Sequence, residues 1–410
     1  MLNYKFKSKL AALAVFMLGS IFASAQDSGP LVEALVRKGI LTGQEAEELR
    51  AELLQDVAAA TPISAVPGAK PVTKLTLGAR LQIQYAGLGT DIANAADPAD
   101  TNHFFLRRVY LVTKASFGSN WSMNITYDAA ESLFDAAVVQ YKNGASTVDI
   151  GLRKAPLGFE ELTSSGSLKA IERSGVTRYF IEPNNGRRLG ASGYRIGLFT
   201  DGSVGNFFYG AAITNPERVG SATDNGNATN NSQAYWAHGG FKGKTDAAAY
   251  TLGAAVGMLP DQGGKTLGAG NDLTIWSLYG DITAGNFQLS GEYLAADVDR
   301  GASATTDASP SGYWVLAAYK FNKQIEGVVR YSSLDTDGRG VNLSDSVRSA
   351  PGGGTMDKLD EMFVGANYYI QGNDLKWQFG YVWGRSQDTI AGAPAEAETS
   401  GFRSQFQINF

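Results

Sequence analysis

Seven bases crowd the stretch from Gly151 to Gly190: Arg153, Lys154, Lys169, Arg173, Arg178, Arg187 and Arg188. They meet only four acids, Glu160, Glu161, Glu172 and Glu182, in a chain whose formal net charge is −5. A guanidinium or ammonium group that faces water without a neutralising partner can attract an anion. It can also release it, which a conduction path requires. The same bases can instead pair with those glutamates and hold the segment against its surroundings, as paired charges do in many buried networks. Both readings stand at this level. The stretch also carries Phe159, Leu162, Leu168, Ile171, Tyr179 and Phe180, more apolar surface than a disordered segment contains. A connection this long in an otherwise regular fold points to function.

Other chemistry has little to work with. There is no cysteine, and His103 and His238 are the two histidines. Disulfides, thiolate metal sites and cysteine nucleophiles are therefore excluded, and little is left for zinc or a Ser–His pair. Asp335-Thr336-Asp337-Gly338 lacks the terminal bidentate glutamate of a calcium loop, and Asp91, Asp97 and Asp100 read as solvated loop acids. Gly352-Gly353-Gly354 lacks the Lys-Ser/Thr that completes a phosphate-binding loop. No cofactor, metal site or enzymatic activity is expected, and the acidic balance argues against nucleic acid as a partner.

The elements that position the bases alternate with a period of two. Leu75, Leu77, Ala79, Leu81, Ile83 and Tyr85 interleave with Thr76, Gly78, Arg80, Gln82 and Gln84, so one face is apolar and the other wet. Continued along the chain, the pattern predicts sixteen strands. They start near Lys74, His103, Trp121, Asp135, Thr147, Leu189, Val204, Gln233, Ala247, Asp272, Asn286, Ser311, Gln324, Leu359, Asp374 and Ser400. Short turns such as Gly118-Ser119-Asn120 alternate with long polar connectors, among them Gly87–Asn102, Pro216–Ser232 and Asp335–Lys358. A soluble sandwich or propeller also alternates, but its apolar faces are aliphatic and its loops show no such asymmetry. Aromatic-rich apolar faces with short–long connectors describe an all-β fold, a transmembrane antiparallel β-barrel of 16 strands over residues 74–410. Lipid then covers the apolar faces, and sixteen strands enclose water.

In such a barrel Arg80, Arg108, Lys114, Arg195 and Arg330 fall on polar, inward faces beside Arg153. The connector at about 154–188 becomes the third outer loop, which in general porins folds inward and narrows the pore.

The start of the chain reads differently. Lys5, Lys7 and Lys9 precede an apolar run and then Ala23-Ser24-Ala25, the three parts of a secretory signal peptide over residues 1–25. Residues 26–60 are a short helical segment. Thr42-Gly43-Gln44-Glu45 forms a capping box there, and the apolar stripe of Ala46, Leu49, Leu53 and Val57 suits self-association or docking on the remaining chain. Residues 61–73, with Pro62, Pro67 and Pro71, are a linker.

Several local patterns resemble the phosphate-selective porin family of the O/P type. Phe105-Leu106-Arg107-Arg108-Val109-Tyr110, followed by Trp121 and Tyr127-Asp128, is similar to the family's early strand pair. Ala155-Pro156-Leu157-Gly158-Phe159-Glu160-Glu161-Leu162-Thr163-Ser164-Ser165 resembles its loop motif. Glu172-Arg173-Ser174 and Gly186-Arg187-Arg188-Leu189-Gly190 resemble the elements that follow, and the closing strand ends in aromatic Phe410. The resemblance implies a sixteen-stranded homotrimeric barrel in a Gram-negative-type outer membrane, passing small anions, phosphate among them, by diffusion. Phe410 resembles the signal read by the barrel-assembly machinery. A weakly selective general porin, and a structural protein tethering the envelope through residues 26–60, are the other functions open to this sequence.

Overall fold

The computed structural model describes residues 72–183, 187–215, 233–260, 272–299, 307–352, 354–388 and 396–410. The expected signal peptide, the helical segment and the linker as far as residue 71 lie outside the described residues, as do connector residues 216–232, 261–271, 300–306 and 389–395.

The period-two segments form long antiparallel strands. The first half of the sheet is β1 (Lys74–Ile92), β2 (Thr101–Phe117), β3 (Trp121–Asp128), β4 (Leu133–Asn143), β5 (Ser146–Lys154), β6 (Tyr194–Val204), β7 (Phe207–Thr214) and β8 (Ala234–Lys244). The second half is β9 (Ala249–Leu259), β10 (Asp272–Ala284), β11 (Phe287–Asp299), β12 (Ser311–Lys320), β13 (Ile325–Asp335), β16 (Lys358–Gln371), β17 (Leu375–Gln387) and β18 (Glu396–Asn409). Between β13 and β16 lies a miniature hairpin of β14 (Val341–Asn342) and β15 (Thr355–Met356). Each of the sixteen long strands pairs with its neighbours in sequence, and β1 closes on β18 from Arg80↔Asn409 to Ile92↔Ala397. Closure satisfies the backbone donors and acceptors of every strand internally, the condition for spanning hydrocarbon.

Burial is inverted relative to a water-soluble protein. Gln82 and Gln407 are fully buried, whereas Ile150, Leu252 and Tyr381 are 60%, 59% and 52% exposed. An apolar outer surface of this extent is stable only against lipid. Aromatic residues concentrate near both rims. Trp121, Phe207, Phe241, Tyr319 and Trp377 lie toward the short-turn end, and Phe104, Tyr235, Tyr313 and Trp383 toward the other. Gly118, Gly144, Gly205, Gly285 and Gly372 sit in the short turns at φ between 56° and 67°, a conformation glycine adopts without a steric cost. No helix among the described residues is long and apolar enough to cross a membrane.

Two connectors fold inward. Residues 155–193 contain α1 (Phe159–Leu162) and α2 (Gly175–Ile181), and residues 336–357 contain the miniature hairpin and α3 (Leu343–Ser346). Leu157, Val176, Tyr179, Phe180 and Ile181 from the first meet Val341, Leu343 and Met356 from the second. Both pack on Trp236, Ile275, Leu294 and Leu359 of the wall, which makes an apolar core inside the barrel. This core explains the largest departure from the expected strand starts. The strand placed near Leu189 begins at Tyr194, because Leu189 and Ala191 donate backbone hydrogen bonds to Tyr179 and Phe180 and are fully buried.

Candidate pore constriction

The connector after β5 is held to one side of the lumen by polar groups that the strand alternation points inward. At its start, Glu292 of β11 accepts from the backbone N–H groups of Phe159 (2.7 Å) and Glu160 (3.2 Å). The same carboxylate accepts from Ser277 Oγ (2.6 Å) and Trp314 Nε1 (3.1 Å). The Phe159 ring stacks on Tyr279 at a centroid distance of 4.9 Å. Further along, wall side chains donate to loop carbonyls: Gln82 to Ser165, Gln407 to Gly166, Lys376 to Leu168, and Gln378 to both Leu168 and Lys169. Lys169 pairs with Glu326. Arg330 of β13 is the deepest fastening. It pairs with Glu160 at 2.8 Å and Glu361 at 2.6 Å, and donates to the carbonyl of Glu172 at 2.8 Å. A buried carbonyl left without a donor is costly, and the wall glutamines remove that cost.

Ser174 caps α2, accepting from Thr177 N–H at 3.1 Å while its hydroxyl donates to Glu160 at 2.8 Å. That cap fixes the helix whose outer end meets the second inserted connector. Arg178 donates to Ser344 O at 2.8 Å and lies 3.4 Å from Asp345. Arg188 bridges Glu182 (2.7 Å) and Asp345 (3.2 Å). Arg348 pairs with Glu182 and with Glu172 (2.9 Å), and Arg187 donates to the carbonyl of Arg339 at 2.7 Å. Burial alone would raise the pKa of Glu182. Arg348, Arg178 and Arg188 outweigh it and hold the carboxyl at about 2. Glu161 is likewise held below the ordinary range, with burial opposed by Arg173 and Lys154.

The space left open lies along β1 to β6. It is a cavity of 630 Å³ lined by Arg80, Arg107, Arg108, Lys114, Arg153, Lys154, Arg173, Arg188 and Arg348. The carboxylates there are Asp128, Glu131, Asp135, Glu161 and Glu182. A second cavity of 460 Å³ toward the short-turn end shares Lys114, Asn124, Ala136 and Arg153 with the first. The two are contiguous. Nine bases against five acids leave the lining positive.

The twelve bases singled out in the sequence separate into groups. Arg80, Arg108, Lys114, Arg153, Lys154, Arg173 and Arg188 line the cavity. Arg80 donates to Ser165 Oγ (2.8 Å) and Asn409, Arg108 donates to Gln82 (2.8 Å), and Lys114 is exposed. Among the described residues these three have no carboxylate within ion-pair distance. Arg153 bridges Asp149 and Asp201. Lys154 pairs with Glu161 at 2.8 Å, and Arg173 pairs with Glu161 at 2.9 Å. Lys169, Arg178, Arg187 and Arg330 fasten the inserted loops, as described above. Arg195, 2% exposed, donates to the carbonyl of Gly190 behind them.

Sequence reasoning missed two cavity-lining bases. Strict alternation places Arg107 outward when Arg108 points inward. The register of β1 against β2 jumps from Gln82↔Arg108 to Ile83↔Leu106, so Arg107 is the extra residue of a β-bulge and also reaches the lumen. An Arg-Arg doublet in a lipid-facing strand was itself the signal, since one guanidinium would otherwise enter hydrocarbon. Arg348 was missed because its connector has the composition of an outer loop.

The sequence profile of phosphate-selective porin O and P matches residues 75–410. No curated protein sequence matches the chain. Among solved structures, the chain is similar to Salmonella typhi OmpF in complex with daunomycin, with a TM-score of 0.50 at 14% identity over 82% of this chain and 98% of that one. It is also similar to the in-vitro folded trimer form of OmpT from Vibrio cholerae (0.49, 12% identity, 82% and 99%) and to the channel DcaP of Acinetobacter baumannii (0.48, 12%, 82% and 97%). At these identities the likeness to OmpF concerns the fold alone. A closed sixteen-stranded barrel with an inserted third loop, together with a family match over nearly the whole described chain, gives the conclusion: this chain belongs to the phosphate-selective porin O and P family of outer-membrane porins.

Proposed function

We propose that this porin is an anion-preferring diffusion channel whose conduction path is the cavity along β1 to β6. The observation that carries this reading is the trio of Arg80, Arg108 and Lys114, which line the cavity without a carboxylate partner among the described residues. Their positive charge is available to a permeating anion: Lys114 is exposed, and Arg108, though buried, has no opposing carboxylate beside it. Attraction by such groups must stay weak enough for release. The family's description makes inorganic phosphate the first solute to test. Arg153, Lys154, Arg173, Arg188, Lys169, Arg178, Arg187, Arg195 and Arg330 serve chiefly to shape the path.

A weakly selective general porin is the second reading. It is favoured by the internal neutralisation of Lys154 and Arg173 by Glu161. Reversal potentials across planar bilayers in a potassium chloride gradient separate the two. A potential displaced toward the chloride equilibrium potential supports the anion reading; a zero or potassium-directed potential overturns it. No conductance at all favours an envelope-tethering role.

Residues 1–25 are proposed as a cleaved export signal, 26–60 as an oligomerising or tethering helical segment and 61–73 as its linker. The functional unit is proposed to be a homotrimer, inserted through recognition of Phe410 by the assembly machinery. Intact mass of the mature protein and its cross-linking pattern test these assignments.

A further inference from the structure

Glu172 stands out from the other acids of the inserted loop in its backbone. Five non-glycine residues have left-handed φ among the described residues, and four of them are Asn94, Ser132, Asp337 and Ser349. Short polar side chains of that kind tolerate the region. Glu172, at φ 71°, has a longer side chain that gains nothing locally from that conformation. A strained backbone persists where its surroundings over-determine it, and here Arg330 holds the carbonyl while three further side chains converge on the carboxylate. Arg107 of β2 grips both oxygens, at 2.6 and 3.1 Å. Gln84 of β1 donates at 2.8 Å, and Arg348 of the second inserted connector approaches to 2.9 Å. The carboxyl group itself does not line the cavity, yet Arg107 and Arg348 do.

We infer that Glu172 tunes the charge selectivity of the constriction: it pairs with two of the lumen's guanidiniums and ties both inserted loops to the β1–β2 wall. Arg107 is a cavity base whose field an anion feels only to the extent that Glu172 leaves uncancelled, and Arg348 is shared between Glu172 and Glu182. Selectivity is therefore a balance that Glu172 shifts. This inference rests on the cavity's being the conduction path, though not on the sign of the wild-type preference.

The test is a set of reversal potentials on detergent-purified, heat-modifiable barrels reconstituted in planar bilayers at about 0.1 M salt, where the screening length is about 10 Å. Glu172→Gln is expected to raise the chloride-to-potassium permeability ratio at least about twofold, as one uncancelled charge near the path would. Glu172→Gly, which relaxes the backbone and also removes the carboxylate, is expected to give the same shift. Arg348→Gln is expected to move the ratio in the opposite direction, and the pair Glu172→Gln with Arg107→Gln to return it to the wild-type value. A merely structural tether would change current noise in these variants without this ordered pattern of signs. Should the Glu172 variants fail to assemble, Arg348→Gln and Arg107→Gln carry the test alone. Unchanged reversal potentials in folded variants, or a wild-type barrel without conductance, overturn the inference. A cation-preferring wild type that still shows the predicted shifts sinks the anion reading and leaves Glu172 in its role.

Discussion

Arg80, Arg108 and Lys114 stand on two adjacent strands, with Arg80 opposite Tyr110 in the register. Arg108 and Lys114 are six residues apart, which at a rise of about 3.4 Å per residue separates them by about 20 Å along the strand. An anion about 5 Å from one such charge in water gains about 0.8 kcal/mol, roughly a fourfold local enrichment. Arg80→Gln is therefore expected to lower the anion-to-cation permeability ratio by up to about fourfold at low ionic strength, and by less in 1 M salt, where the Debye length is about 3 Å. Reversal potentials at the two salt concentrations check both parts. At this scale the sequence was legible wherever alternation was unbroken: Arg80, Arg108 and Lys114 follow directly from the polar face of their strands. Arg107 does not, because a bulge depends on the register of two strands rather than on the pattern of one.

The inserted connectors behave as elements latched by charge. Arg330→Ala leaves Glu160 and Glu361 buried without their shared cation, and breaking a buried pair of this kind costs about 3–5 kcal/mol. The expected outcome is a loop that loosens before the barrel does, read as larger, noisier single-channel currents and faster protease cleavage within residues 155–193. The latch also has a pH window. Glu182 falls from the ordinary 4.5 to about 2 in the folded state, so its contribution is complete above 4.5, declines as pH drops toward 2 and is absent below that. Single-channel conductance should be flat from pH 7 to 5 and change only in strongly acidic solution; opening between pH 7 and 5 would count against the latch. The first connector was recognisable because bases and aromatics mark residues 151–190 as ordered. In residues 336–357 and the strand end before them, Asp335, Asp337 and several serines give the composition of a solvated outer loop, and the inward fold was hidden behind it. The buried Val341, Leu343, Val347 and Met356 of that connector carried the same signal of order.

For the molecule as a whole, the decisive constraint is that each strand separates two solvents. Lipid on one side and lumen on the other enforce a period of two along every strand, which is why all sixteen were visible without any pairing information. Which half of the lumen the third loop occupies was not visible. That depends on partners remote in sequence, such as Gln407 and Gly166, 241 residues apart. Closure is completed at the β1–β18 seam, where Phe410 exchanges backbone hydrogen bonds with Ala79. Deleting Phe410 should reduce the yield of heat-modifiable barrel in the outer membrane while leaving the selectivity of the channels that do assemble unchanged, as comparison of yield and reversal potential will reveal. The most direct test of anion preference compares wild type with the triple variant Arg80→Gln, Arg108→Gln and Lys114→Gln in a tenfold potassium chloride gradient. The expected result is a chloride-directed potential in the wild type that collapses toward zero in the triple variant, with the barrel still folded and conducting. An equal potential in both contradicts the assignment of selectivity to these three residues.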